Sequence, residues 1–236
     1  MSARLANRIA LVTGASRGIG RATALALANE GAHVIAVART VGGLEELDDE
    51  IKRAGGAATL VPLDLKDGPA FPRLAGAVAE RWKKLDILIG NAAVLQGLTP
   101  VTNVNPKDWL EAFDINVNAN LRLIQFFDPL LKASDAGRAV FVTSGVARNP
   151  RAYWGTYAAS KAALDALVLT YAAECASTKV RVNLFNPGPT RTVMRAKAVP
   201  GEDPQTLPSP EAVAAQLIEL AMPAETRNGE GMAFKR

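Results

Sequence analysis

The chain has one cysteine, Cys175, and one histidine, His33, among 236 residues. With one of each, a Ser-His-Asp or Cys-His hydrolase, or a His/Cys zinc site, is hard to build, and no metal site is expected. A single cysteine allows no disulfide within the chain, which fits a reducing compartment. Cys175 sits in an apolar helical stretch with no histidine near it in sequence, so it reads as a small buried hydrophobe. His33 opens the apolar run "HVIAVA" and reads as a strand-end residue. No apolar run approaches the ~20 residues of a membrane-spanning helix. The start, "MSARLANRIALVTGASRG", lacks the long apolar stretch and small-residue cleavage site of a secretory signal. A cytoplasmic protein with no membrane partner is expected. The net charge is +4 and the pI 9.3, yet basic residues never run longer than two, so no nucleic-acid stripe is present.

What the chain does have is alternation. About half of it is hydrophobic (49%) and 21% is charged, enough to bury a core and too apolar for disorder. Short, nearly continuous apolar runs recur at 8–14, 33–39, 58–63, 85–90, 138–144 and 180–187. Such runs predict strands buried on both faces. Segments of helical spacing lie between them, at 18–30, 41–54, 68–83, 106–133 and 155–177. In the second, Leu44, Leu47 and Ile51 make an apolar stripe opposite Glu45, Asp48 and Asp49. Strand and helix in turn predict an α/β fold, a parallel sheet with helices on both faces, in one domain over residues 1–236. The stretch 186–210 holds six prolines and two glycines and reads as a loop with at most a short helix. Its part 188–208 is a candidate lid. A helix at 210–222 and a short last strand at 231–234 complete the pattern.

"TGASRGIG" (13–20) follows the first apolar run and opens the first helical segment. Glycine in such a turn permits positive φ and close approach of the backbone to a pyrophosphate, which a helix N-terminus attracts. No Lys-Ser/Thr pair follows, which argues against a P-loop. An acid at the end of the second strand would bind a ribose 2′-hydroxyl; this chain has Ala38, Arg39 and Thr40 there instead. Arg39, with Arg17 in the glycine turn, suits a 2′-phosphate. NADP(H) is therefore preferred over NAD(H), which stays possible. Further on, "YWGTYAASKAAL" (153–164) puts Tyr157 and Lys161 four apart, on one helix face. Alone, that pair is a weak motif.

In order along the chain stand "TGASRGIG", "GNAAV" (90–94), "IN" (115–116), "VTSG" (142–145), "YAASK" (157–161) and "NPGPTRT" (186–192). This ordered set resembles the short-chain dehydrogenase/reductase family over nearly the whole chain. The resemblance implies one Rossmann-like doubly wound sheet of about seven strands, in order 3-2-1-4-5-6-7. It also implies a catalytic group of Asn116, Ser144, Tyr157 and Lys161. Tyr157 would be the general acid/base, with Lys161 and an oxidised nicotinamide both lowering its pKa. Ser144 would hold the reacting oxygen, Lys161 also the nicotinamide ribose, and Asn116 a water relaying protons to Lys161. The cofactor contacts implied are Gly14, Ser16, Arg17, Gly18, Ile19 and Gly20 around the pyrophosphate and ribose. Arg39 falls at the 2′-phosphate, Asp64 and Leu65 at the adenine, and Asn91 and Ala92 at the ribose. Pro187, Gly188 and Thr190 fall at the carboxamide. Two departures from the family pattern are visible: Gly90-Asn91-Ala92-Ala93 replaces Asn-Asn-Ala-Gly, and the chain ends "NGEGMAFKR" rather than on an Asp-Gly-Gly tail.

The implied substrate wall comprises Leu95, Val146, Trp154 and Met194, beside Ser144 and Tyr157, with Val94, Gln96, Arg148, Tyr153 and Thr192 near them. The function implied is hydride transfer between nicotinamide and a carbonyl or secondary alcohol, on a small-molecule substrate, in a homodimer or homotetramer. The alternative is a non-catalytic dinucleotide sensor or scaffold on the same fold; the intact Tyr-Lys set argues against it. Epimerases and dehydratases of this fold are usually longer, which disfavours a third reading.

Overall fold

The computed structural model describes residues 3–236. Seven strands form one sheet: β1 (Ile9–Thr13), β2 (His33–Ala38), β3 (Ala57–Pro62), β4 (Ile87–Gly90), β5 (Arg138–Val142), β6 (Arg181–Asn186) and β7 (Gly231–Ala233). Every pairing is parallel and the order is β3-β2-β1-β4-β5-β6-β7. Each crossover carries helix: α1 (Gly18–Asn29), α2 (Val41–Arg53), α3 (Ala70–Trp82), α4 (Pro106–Phe113), α5 (Ala119–Lys132), α6 (Gly155–Glu174), α7 (Val193–Ala198) and α8 (Pro210–Leu217).

The continuous apolar runs are explained by the two-residue period of a strand. In β1, Ile9 and Leu11 face a core built with Phe71 of α3, Phe127 of α5 and Leu164 and Val168 of α6. Ala10 and Val12 face the opposite core, with Leu27 of α1, Leu44, Leu47 and Ile51 of α2, and Val213 and Leu217 of α8. Both faces of the sheet are covered, so both sets of side chains must be apolar.

Three expectations need correction. The run 58–63 was expected to be buried on both faces, but β3 is an edge strand and no residue in it is buried. Its Pro62 fits the edge, where no ladder partner needs the missing N–H. The stretch 106–133 is not one helix: α4 and α5 are separated by a π-helical turn, Asp114–Asn118. The helix at 210–222 ends at Leu217 and tightens into a 3₁₀ turn, Ile218–Ala221. The long loop carries α7 and a further 3₁₀ turn, Pro204–Thr206.

At the N-terminal ends of the strands, Asp86 is fully buried. It accepts from the Ile9 N–H (2.9 Å), Ser134 Oγ (2.6 Å), Arg8 Nη1 (2.9 Å) and Lys84 Nζ (3.0 Å). At the C-terminal ends, the chain leaves β1 toward one edge and β4 toward the other. The reversal opens a crevice between β1 and β4, where open α/β sheets hold ligands.

Candidate active site

The crevice is a cleft of about 490 Å³. The turn from β1 into α1 forms one wall. Gly14 has φ +68°, and a Cβ on it would lie 2.9 Å from Asn91 Nδ2 and 3.1 Å from Ala92 Cα, so the turn needs glycine there. Asn91 Nδ2 donates to the Thr13 carbonyl (2.9 Å), and Thr13 Oγ1 accepts from the N–H groups of Asn91 (3.0 Å) and Ala92 (3.1 Å). Thr13 thus ties the end of β4 to the glycine turn. Sequence reading did not assign it; its place before Gly14 was the only signal.

Gly14, Ser16, Arg17, Gly18 and Ile19 line the cleft. Gly20 does not. A Cβ at Gly20 would lie 2.3 Å from the Gly14 carbonyl oxygen and 2.4 Å from Asn91 Nδ2, so this glycine lets α1 pack onto the turn and contacts no cleft. Arg39 follows β2 into the cleft, and Asp64, Leu65, Asn91 and Ala92 join it from the ends of β3 and β4. Pro187, Gly188 and Thr190 line it after β6. Five cations (Arg17, Arg39, Arg151, Lys161, Arg195) and one acid (Asp64) are among the lining residues. A cleft of that balance attracts anions.

Tyr157 and Lys161 sit one turn apart on α6, with Lys161 Nζ 5.8 Å from the Tyr157 ring centroid. Lys161 is 1% exposed, and its Nζ donates to the Val142 carbonyl at 2.8 Å. Ser144, just past β5, lines the cleft beside Tyr157, and its Oγ caps the following 3₁₀ turn by accepting from the Val146 N–H at 3.5 Å. Of the substrate-side residues, Leu95, Val146, Trp154 and Met194 all line the cleft. The Trp154 ring stands edge-on to Tyr157 at 6.1 Å. Val94 and Thr192 line it as well, whereas Gln96, Arg148 and Tyr153 do not. Gln96 donates to Glu111 instead (2.9 Å), Arg148 reaches toward Asp165, and Tyr153 is exposed with φ +72°.

Asn116 lies in the π-helical turn, fully buried and outside the lining. Its amide is committed on both ends: Oδ1 accepts from the Val94 N–H (2.8 Å), while Nδ2 donates to the Val94 carbonyl (3.0 Å) and Ser160 Oγ (3.0 Å). The side chain therefore clamps the loop after β4 onto α6. Burial pushes the Tyr157 phenol up to about 12, with Ser144 pulling weakly the other way. Burial pulls the Lys161 ammonium down to about 8, against the attraction of Asp165. Desolvation dominates both shifts.

A doubly wound parallel sheet with a glycine turn at its switch point defines a dinucleotide-binding α/β protein. The family model for the short chain dehydrogenase matches residues 8–203. The chain is 40% identical over 233 residues to the uncharacterized oxidoreductase YciK of Escherichia coli K12, covering 98% of this chain and 92% of that protein. It superposes with a TM-score of 0.94 on a short chain dehydrogenase from Shigella flexneri complexed with NADP, at 38% identity over 99% of both chains. A short chain dehydrogenase from Escherichia coli CFT073 complexed with NADPH superposes at 0.91, with 37% identity over 99% of this chain and 98% of that one. The chain belongs to the short-chain dehydrogenase family of oxidoreductases.

Proposed function

We propose that this protein is an NADP(H)-dependent oxidoreductase that interconverts a small carbonyl compound and its secondary alcohol. Residues 1–236 act as one Rossmann-like unit, with 188–208 as its lid, in a cytoplasmic homo-oligomer. The observation that carries the reading is the convergence of Ser144, Tyr157 and Lys161 on the cleft that the glycine turn opens. The residues present fit a phosphorylated dinucleotide: Gly14 leaves room at the turn, and Arg17 and Arg39 line the cleft without a carboxylate partner among the described residues. The NADP and NADPH held by the two similar structures support the same choice.

A bound nicotinamide supplies or accepts the hydride. This chain's residues handle the proton. The raised phenol pKa keeps Tyr157 protonated at neutral pH, so it donates its proton to a carbonyl oxygen as charge develops there. The Ser144 hydroxyl donates to the same oxygen, and buried Lys161 places a positive charge behind the phenol. The apolar and aromatic wall of Leu95, Val146, Trp154 and Met194 excludes water from the reacting atoms.

The test is NADPH consumption against ketoacyl thioesters, quinones, ketosteroids, sugar ketones and diketones, with Tyr157→Phe alongside. Turnover in the wild type that falls about a thousandfold or more in the variant is expected. Tight NADPH binding with no turnover on any of them would favour a dinucleotide sensor, and equal turnover in Tyr157→Phe would remove the tyrosine from the chemistry.

A further inference from the structure

Three successive turns of α6 carry Tyr157, Lys161 and Asp165 on one face. The first two have roles in the reaction above; Asp165 has none, yet it is only 8% exposed. A carboxylate that deep in the fold normally has paired donors or a counter-charge. Its contacts lead to the same strand end that serves the site. Three consecutive residues of that segment alternate in use. The Val142 carbonyl accepts from Lys161 Nζ at 2.8 Å. Thr143 Oγ1 donates to Asp165 Oδ1. Ser144 lines the cleft. The Thr143 N–H meanwhile donates to the Phe185 carbonyl (2.9 Å), which keeps the segment in the sheet.

We infer that Asp165 is a positioning residue, the counter-charge that keeps buried Lys161 protonated and the brace that holds Val142–Ser144 against α6. This inference rests on the function proposed above. Lys161 has one hydrogen-bond acceptor, a neutral carbonyl, for a charge almost wholly out of water. Asp165 lies one helical turn further on and is the acid whose field favours the ammonium. Two charged groups face Asp165: Lys161 from its own helix, and Arg148 from the connection after β5, with Nε 4.0 Å from Oδ2. β5 contributes the uncharged Thr143. Arg148 is itself packed against Gly231 of β7, where a Cβ would come within 2.5 Å of its guanidinium. The carboxylate is thus shared between a buried ammonium and a largely exposed guanidinium, and the first depends on it more.

The Lys161 side chain can be titrated directly by ¹³Cε NMR on lysine-labelled protein, its signal assigned by loss in Lys161→Met. This readout needs no substrate. In Asp165→Asn the Lys161 midpoint should move to lower pH by about 1. In parallel, kcat for NADPH with 9,10-phenanthrenequinone should fall and its high-pH limb shift the same way, with NADPH affinity within about twofold. Asp165→Glu should restore both. Arg148→Gln, at an exposed position, should move the Lys161 midpoint upward by freeing the carboxylate, and it decides the matter if Asp165→Asn does not fold. A Lys161 midpoint unmoved in Asp165→Asn, or lowered in Arg148→Gln, overturns the inference. Failure of the reductase reading shows separately, as full turnover in Tyr157→Phe with the Lys161–Asp165 coupling intact.

Discussion

Lys161 should destabilise the protein that contains it. Its ammonium is displaced from the ordinary 10.5 to about 8 by burial. At about 1.4 kcal/mol per pH unit, keeping it charged in the folded state costs roughly 3 kcal/mol below pH 8. The sign follows from proton counting. Between pH 8 and 10.5 the unfolded chain holds a proton that the folded chain has released, so stability rises with pH across that window. Methionine matches the length and removes the charge. Comparing wild type with Lys161→Met cancels the titrating groups that Lys161 does not influence. The stability of wild type relative to the variant should therefore improve by about 2 kcal/mol from pH 7 to pH 9.5. The absolute difference at pH 7 is smaller than the full cost, because the variant leaves the Val142 carbonyl without its donor, worth about 1–3 kcal/mol. Urea unfolding of both proteins at the two pH values, without nucleotide, measures this. Parallel stabilities would refute the reasoning, since they would mean that Lys161 titrates in the folded protein as it does in water. The same variant should lose turnover, which would set a gain in function against the cost in stability.

Arg39→Ala should raise the KM for NADPH about 10- to 100-fold through loss of a charge-assisted hydrogen bond, with the KM for NADH little changed, as steady-state kinetics with both cofactors will show. Gly20→Ala puts a methyl where the Gly14 carbonyl oxygen would be 2.3 Å away, and it should cost about 1–3 kcal/mol and lower the thermal midpoint, since backbone must shift to admit it. Asp86→Asn should destabilise by roughly 3 kcal/mol in urea titrations at pH 7, because it leaves Arg8 and Lys84 without the buried charge they share. Burial alone would raise the pKa of Asp86, but Ser134, the Ile9 N–H, Lys84 and Arg8 together hold it below the ordinary value. Its contribution is accordingly complete above the ordinary carboxylate pKa near 4 and is lost as pH falls through the lower folded value.

Much of the fold was legible in the chain because its signals are local. A strand covered on both faces needs apolar side chains on both, and β1, β2, β4 and β5 are apolar along most of their length, while β6 keeps the pattern at Val182, Leu184 and Phe185. The stripe of Leu44, Leu47 and Ile51 marked the buried side of α2, and all three are fully buried. β3 misled because an edge strand can be as apolar in sequence as a central one, and only its neighbours show that one side is unpaired. The π-helical turn was invisible for a related reason: 106–133 keeps a helical hydrophobic period through it, and the extra residue per turn is set by how Asn116 locks onto Val94 and Ser160.

The motifs at 13–20, 90–94, 142–145 and 186–192 follow strands β1, β4, β5 and β6, whose C-terminal ends the parallel topology must bring to one edge of the sheet, and Tyr157 and Lys161 of α6 line the same cleft. What those residues do to one another was decided elsewhere. Gly20 belongs to the glycine motif but serves packing, which depends on where Asn91 arrives from β4, 71 positions further along. Tyr157 and Lys161 are neighbours on any helix, yet the direction of their pKa shifts comes from the burial that the tertiary fold imposes on them. Asp165 is tied to the strand end beside them through Thr143, on a different element. Sequence by itself determined the period, the turns and the chemical inventory, because these depend on near neighbours. Burial, and with it charge state, was determined by the tertiary structure, because desolvation is the sum over everything packed around a group.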